Sequence, residues 1–302
     1  MKKGNGIRFF LAGLLLVSAL SGCAAEPADT KNPSGAEQTT GNTSQERKAP
    51  SDTVAEQKAG LKYSNADLDD SSDEQAQRIT LGDGDVLIDR SGTYILSGTL
   101  SDGQIVVTLD KTEKAHLILE GVDVSNSDGP ALHITSCDKV ILTLSDGTVN
   151  RFSDGASYAD ASATGCIYSK DDLTINGSGT LEVTGNCKNG IAAKNKLKIV
   201  GGTIRVSAVT NGLKGKDSVA ISGGELVITA GKDGIKSDNI EEAGKGVVAI
   251  SGGSIDITAA DDGIQGEGGI YISGGSITAS VGDKLINTDG VCEVDETCVS
   301  RK

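Results

Sequence analysis

From Ile79 onward the chain is written in short β-branched runs separated by Gly, Asp, Asn and Ser. Apolar and polar positions alternate within a run, as strands require, and no stretch sustains a helical stripe. After residue 188 the pattern becomes a repeat. Asn189-Gly190-Ile191, Asn211-Gly212-Leu213, Asp233-Gly234-Ile235, Asp262-Gly263-Ile264 and Asp283-Lys284-Leu285 begin at intervals of 22, 22, 29 and 21 residues. Gly201-Gly202, Gly223-Gly224, Gly252-Gly253 and Gly274-Gly275 fall between them in constant phase. Each unit reads as three strands: a short one after the Asn/Asp-Gly, a second such as 247–251 and, beyond the Gly-Gly, a third such as 254–258.

A unit this small cannot bury its apolar face alone, so successive copies must stack. The pattern therefore predicts an all-β fold, a parallel β-helix of about 22 residues per coil. Asn-Gly and Asp-Gly are also hairpin signals, which makes an antiparallel sandwich the competing arrangement. The three-strand phase, kept over five units, favours the solenoid. Some 220 residues then give roughly ten coils and a rod near 50 Å long at about 4.8 Å per coil. Residues 238–246 read as a loop inserted on one face.

The N-terminal pattern is different. Lys2, Lys3 and Arg8 precede an apolar run over residues 9–20, followed by Leu20-Ser21-Gly22-Cys23. The run is shorter than the roughly 20 residues that span a bilayer, and the segment resembles a bacterial lipoprotein signal peptide with Cys23 as the lipidated first residue of the mature chain. This divides the chain into a signal peptide (1–22), a disordered tether (23–75) and the solenoid (76–302). It also predicts an exported protein, lipid-anchored to the cell membrane and facing the extracellular side. Residues 24–75 hold three of the four prolines and no periodic apolar face, the composition of a flexible linker. The acidic stretch from Asp67 superficially suggests a calcium loop, but Ser72 stands where Gly is needed and Arg78 where Glu is needed, so it reads as solvated.

Charge and aromatic content narrow the function. With 28 Lys+Arg against 42 Asp+Glu, the net charge of −14 opposes binding to nucleic acid. No Trp, 3 Phe and 5 Tyr leave little for stacking on sugar rings.

Strand alternation places Ile191, Leu213, Ile235, Ile264 and Leu285 inside. Two outward ladders follow: Ala192, Lys214, Lys236, Gln265 and Ile286, then Lys194, Lys216, Asp238, Glu267 and Thr288. Between Lys188 and Lys245 there are ten Lys/Arg and six Asp/Glu, a basic patch in an acidic chain. Lysines one coil apart repel by about 0.9 kcal/mol even in bulk water. An anionic ligand or interleaved carboxylates would relieve this, and a merely solvated face is an equal alternative. A third ladder at the turn comprises Asn189, Asn211, Asp233, Asp262 and Asp283, beside Asp261. Turn chemistry alone explains the asparagines, whereas stacked carboxylates call for a bridging hard cation. Asp233, Asp238, Asp261, Asp262 and Asp283 are the candidate calcium ligands.

The repeated Asp262-Gly263-Ile264 and Gly252-Gly253-Ser254-Ile255-Asp256-Ile257 phrases join two lead-ins, Ser91-Gly92-Thr93-Tyr94-Ile95-Leu96-Ser97-Gly98 and Asp128-Gly129-Pro130-Ala131. With these, the chain from about Ile79 to Asp289 resembles the bacterial extracellular carbohydrate-binding β-helix family, typified by a clostridial cellulose- and pectin-binding surface protein. The resemblance implies a right-handed parallel β-helix and bound calcium. It also implies non-catalytic binding of plant-type or acidic polysaccharide, such as cellulose or polygalacturonate. On that basis Asn189, Lys194, Asn211, Lys214, Lys216 and Lys236 are the candidate carbohydrate-binding residues.

Two other functions remain open. Calcium-dependent pectate lyases share the fold, and Lys214 or Lys236 beside Asp233 could serve as the base such a reaction needs. Asn287-Thr288-Asp289-Gly290 echoes a pectinase motif, but Asp261-Asp262 precedes it and the histidines, His116 and His133, lie far upstream. There is no Ser-His-Asp arrangement, phosphate loop or HExxH helix. The other alternative is a structural surface rod or adhesin. A monomer is expected, with end-to-end association through the last coil as a variant. Cys292 with Cys298, and Cys166 with Cys187, are the sequence-suggested disulfides.

Overall fold

The computed structural model describes residues 54–59, 61–71 and 75–302. The signal segment and Cys23 lie outside the described residues. Strands of successive coils pair in parallel and in register, forming a parallel β-helix with three strand stacks. The first stack contains Lys139–Leu144, Asp172–Gly177, Lys196–Ile199, Ser218–Ile221, Val247–Ile250, Gly269–Ile272 and Val291–Val294. The second includes Val149–Asp154, Thr180–Gly185, Thr203–Ala208, Glu225–Ala230, Ser254–Ala259 and Ser276–Val281. The long strand Lys114–Asn126 pairs with members of both and joins them. The third stack is a separate 9-stranded sheet running from Val86–Ile88 to Ile286–Asn287. Nine strands at about 4.8 Å make this rod near 40 Å long, slightly shorter than chain length suggested.

The interior is a set of apolar columns. Ile175, Ile199, Ile221, Ile250 and Ile272 lie above one another in the first stack, and Ile191, Leu213, Ile235 and Ile264 do so in the third. All are buried. β-Branched chains suit this pleated surface, and each contributes about 1.5–3 kcal/mol by leaving water. The Gly-Gly turns connect the first stack to the second. Gly202, Gly224, Gly253 and Gly275 have φ of 90°, 97°, 94° and 89°, where a side chain is strained. At Gly223 a Cβ would lie 2.4 Å from the Val200 carbonyl oxygen, so the first glycine of the pair is also required by close approach.

The last coil departs from the expected register by one residue. Ile264 pairs with Ile286 and Gln265 with Asn287, so Ile286 continues the inward column and Asn287 the outward one. Leu285 thereby stands where earlier units have Gly. At Gly212 a Cβ would lie 2.8 Å from the Gly234 carbonyl oxygen of the next coil, whereas the third stack ends at Ile286–Asn287 and, among the described residues, no further coil of that stack lies over residue 285.

The tether expectation also needs correction between residues 54 and 71. The short helices Val54–Lys58 and Asn65–Leu68 belong to a strap laid along the outer side of the first stack. Ala59, Leu61 and Tyr63 pack on Ala220, Val247, Ala249 and Tyr271. Asp67, expected to be solvated, is 0% exposed. Its carboxylate accepts from Lys139 Nζ at 2.7 Å, Lys198 Nζ at 2.9 Å, Thr174 Oγ1 at 2.7 Å and Ser64 N at 2.8 Å. A segment this short has no periodic face to reveal it; the visible signs are the Ser64/Asp67 capping box and strands such as Val247–Ile250, buried on both sides. The suggested disulfides do not form: Cys137, Cys166, Cys187, Cys292 and Cys298 are all free thiols.

Burial alone would raise the Asp67 pKa, but the Lys139, Thr174, Ser64 and Lys198 hydrogen bonds outweigh it and hold the carboxyl far below the usual range. A lowered folded-state pKa contributes stability that is complete above the unfolded value near pH 4 and is lost as pH falls. Asp67→Ala leaves two buried lysines without a counter-charge and should cost about 3–5 kcal/mol. Thermal melting and limited proteolysis should show a lower midpoint and a protease-sensitive strap. The variant should also lack part of the acid-induced loss of stability; an unchanged melt and acid transition would contradict this account.

Candidate functional site

The third stack presents an outward column in which Val106, His133, Tyr168, Ala192, Lys214, Lys236, Gln265 and Asn287 are in register. Its upper part is closed. Tyr168 and Ala192 are buried with Ala163 against Tyr158, and the His133 and Tyr168 rings lie 5.3 Å apart. The open part begins at Lys214.

There the lysine ladders are interleaved with carboxylates. Lys214 pairs with Asp238 at 2.6 Å, Lys216 with Glu241 at 2.9 Å and Lys236 with Asp233 at 2.8 Å. The Lys236 ammonium also donates to Gln265 Oε1. The Glu241 hydrogen bond and charge raise the Lys216 pKa. Lys194 is exposed and has no carboxylate at ion-pair distance among the described residues. Of the two ways to relieve lysine repulsion, the fold uses the internal one.

The turn ladder has a backbone role. Asn189 Oδ1 accepts the Asn211 N–H at 3.2 Å, Asn211 Oδ1 the Asp233 N–H at 3.2 Å, and Asp233 Oδ1 the Asp262 N–H at 3.2 Å. Asp262 Oδ1 accepts the Lys284 N–H at 3.0 Å. Each side chain thus satisfies the amide one coil further on. This makes Lys284, rather than Asp283, the next rung. The second oxygens of Asp233 and Asp262 are held by Lys236 at 2.8 Å and Asn287 Nδ2 at 2.6 Å. The argument that stacked carboxylates need a cation therefore weakens, because an ammonium and an amide already meet them.

Asp233, Asp261 and Asp262 nevertheless converge, with carboxylate oxygens within 4.8 Å of one another. Asp261 is the exposed member. Asp238 is tied to Lys214, and Asp283 lies above Asp261 through its backbone N–H; neither joins the trio. Three carboxylates are a hard-cation donor set, and Lys236 is the built-in competitor for it. Gln265 stands in the column as the repeat places it, and Asn287 takes the position expected of Ile286; the column register is what reveals Asn287.

The profile of carbohydrate-binding domain-containing proteins matches residues 82–299. The chain belongs to this family. A carbohydrate-binding domain-containing protein of Acetivibrio thermocellus is 39% identical over 202 residues, 65% of this chain and 63% of that relative, so the chain spans less than two thirds of the relative's length. A solved structure, the gadolinium derivative of the polysaccharide lyase-like protein from C. thermocellum, is 44% identical with a TM-score of 0.71, covering 72% of this chain and 90% of that one. In this family member the turn ladder should be structural. Asn211→Ala strands the buried Asp233 N–H and should lower stability by about 1–3 kcal/mol. Urea unfolding measures this, and a loss below a few tenths would contradict it.

Proposed function

We propose that the protein is an extracellular, non-catalytic polysaccharide-binding module whose ligand lies along the open ladder of the third stack. The observation that carries this is the Lys214, Lys236, Gln265, Asn287 column with Asp233, Asp238 and Asp262 beside it. Hydrogen-bond donors and acceptors recur there once per coil, on a half-buried face, in a chain of a carbohydrate-binding family. A polymer of repeating hydroxyls can exchange bonds with such rungs, coil by coil, at little desolvation penalty. Asn189 and Asn211 shape the adjoining turn, and Lys194 adds an unshared positive charge. Plant-type or acidic polysaccharide is the expected ligand class. The lipid anchor on Cys23 would hold the module at the cell membrane.

Lyase chemistry needs a neutral lysine or arginine to remove a proton. Lys236 is occupied by Asp233 and Gln265, and Lys214 by Asp238, so neither amine stands free to take a substrate proton, which favours binding over catalysis. A lyase remains the alternative through the shared fold and the likeness to the polysaccharide lyase-like protein, and such a reaction has a direct readout. The full chain, offered insoluble cellulose and soluble polygalacturonate, should be retained without absorbance from an unsaturated product. Lys214→Met with Lys236→Met should weaken retention about tenfold. Growing absorbance would indicate a lyase, and no retention on any polymer would favour a structural rod.

Calcium, on this reading, is held by Asp233, Asp261 and Asp262. Its role is to neutralise their charge, in competition with Lys236. Calcium titration by calorimetry should show tighter binding for Lys236→Met and weaker binding for Asp261→Asn. Equal affinities across both variants would remove the calcium assignment.

A further inference from the structure

Around the turn from the lysine ladder, beside the strap, lies a cavity of about 390 Å³. Lys58 and Leu61 of the strap, Lys196, Asp217 and Ser218 of the solenoid, and Lys245 of the inserted loop line it. Its size falls within the range of about 300–1,000 Å³ typical of small-ligand pockets. Lysines from three separate elements line it together with one carboxylate, Asp217. Asp217 is fully engaged, accepting from Asn239 Nδ2 at 2.6 Å and from Lys245 Nζ at 2.9 Å. Lys245 also pairs with Glu242 at 2.8 Å, and Lys58 pairs with Glu293.

Lys196 differs from the other two. It is exposed, and its ammonium has no carboxylate at ion-pair distance among the described residues. Asp172 takes its backbone N–H at 3.2 Å and senses its charge from farther away. Ser218, on the same wall, is 3% exposed and its hydroxyl has no hydrogen-bond partner. A buried hydroxyl left unmatched is costly, and a spare cation beside it selects for an anion that also carries hydroxyls.

We propose that this cavity binds the carboxylate-bearing residue of an acidic polysaccharide. Lys196 is the principal charge partner, the Ser218 hydroxyl bonds a ligand oxygen, and Lys58 and Lys245, each paired with carboxylates, flank them. The inference rests on the polysaccharide reading above and deepens it: the paired lysines of the ladder meet hydroxyls along the polymer, and the acid-specific contact is made here. It also gives the strap a second role, since Lys58 and Leu61 form one wall.

The test is calorimetric titration of the full chain with a galacturonate trimer and with its neutral galactose counterpart, alongside polymer retention. Wild type should prefer the acidic trimer. Lys196→Met should reduce that affinity about tenfold and Lys196→Glu further, with binding of the neutral trimer and the thermal midpoint unchanged. Ser218→Ala should lose a smaller part without losing stability. Undiminished acidic-trimer affinity in Lys196→Met, or equal wild-type affinity for both trimers, would overturn the cavity assignment while retention on polymer left the broader reading standing. Wild type that binds neither trimer nor any polymer would overturn both.

Discussion

Each coil of this protein depends on its neighbours for what it cannot supply itself. A unit of about 22 residues has too little apolar area to close a core and leaves its strand amides and carbonyls unpaired. Stacking in register answers both needs. The isoleucine columns cover one another, and the backbone ladders run from coil to coil. The turn ladder extends the same logic to side chains, with Asn189, Asn211, Asp233 and Asp262 each accepting an amide of the following coil. A slip of one residue would turn every inward chain outward.

Regular stacking creates an electrostatic problem, because any charged residue kept by the repeat is placed one coil from its copy. The structure resolves it by alternation. Lys214 meets Asp238, Lys236 meets Asp233, and Arg151 meets Glu182 on the second stack. Under the strap the same principle operates out of water, where Asp67 joins Lys139 and Lys198. The exposed Arg151–Glu182 pair contributes little to stability, whereas Lys236 reaches the buried Asp233 and so also keeps that carboxylate from standing unpaired. The group under the strap is different, because removing any member strands the others.

The fold was legible in the sequence because its signals are periodic. Asn/Asp-Gly-Ile and Gly-Gly recur in phase, and the physics of each turn demands those residues. The ladder residues followed from that period, including the pairing of Ala192, Lys214, Lys236 and Gln265. What escaped was aperiodic. The strap is a single non-repeating segment whose partners lie 72 to 235 residues away, as the Lys139 and Glu293 contacts show. Whether a lysine is free or paired was equally illegible, since Asp238 and Glu241 reach Lys214 and Lys216 from an insertion whose path no repeat dictates. The last coil misled because the rule requiring Gly lapses where the stack ends.

The central claim is that polysaccharide lies on the open ladder and turns the corner toward the strap. Hydrogen exchange of the full chain, with and without polygalacturonate fragments, tests this directly. The account predicts slowed exchange in peptides covering residues 188–199, 211–218 and 232–246, with the second-stack strands around Thr184, Ser207 and Thr229 unaffected. Protection confined to that second-stack face would contradict it.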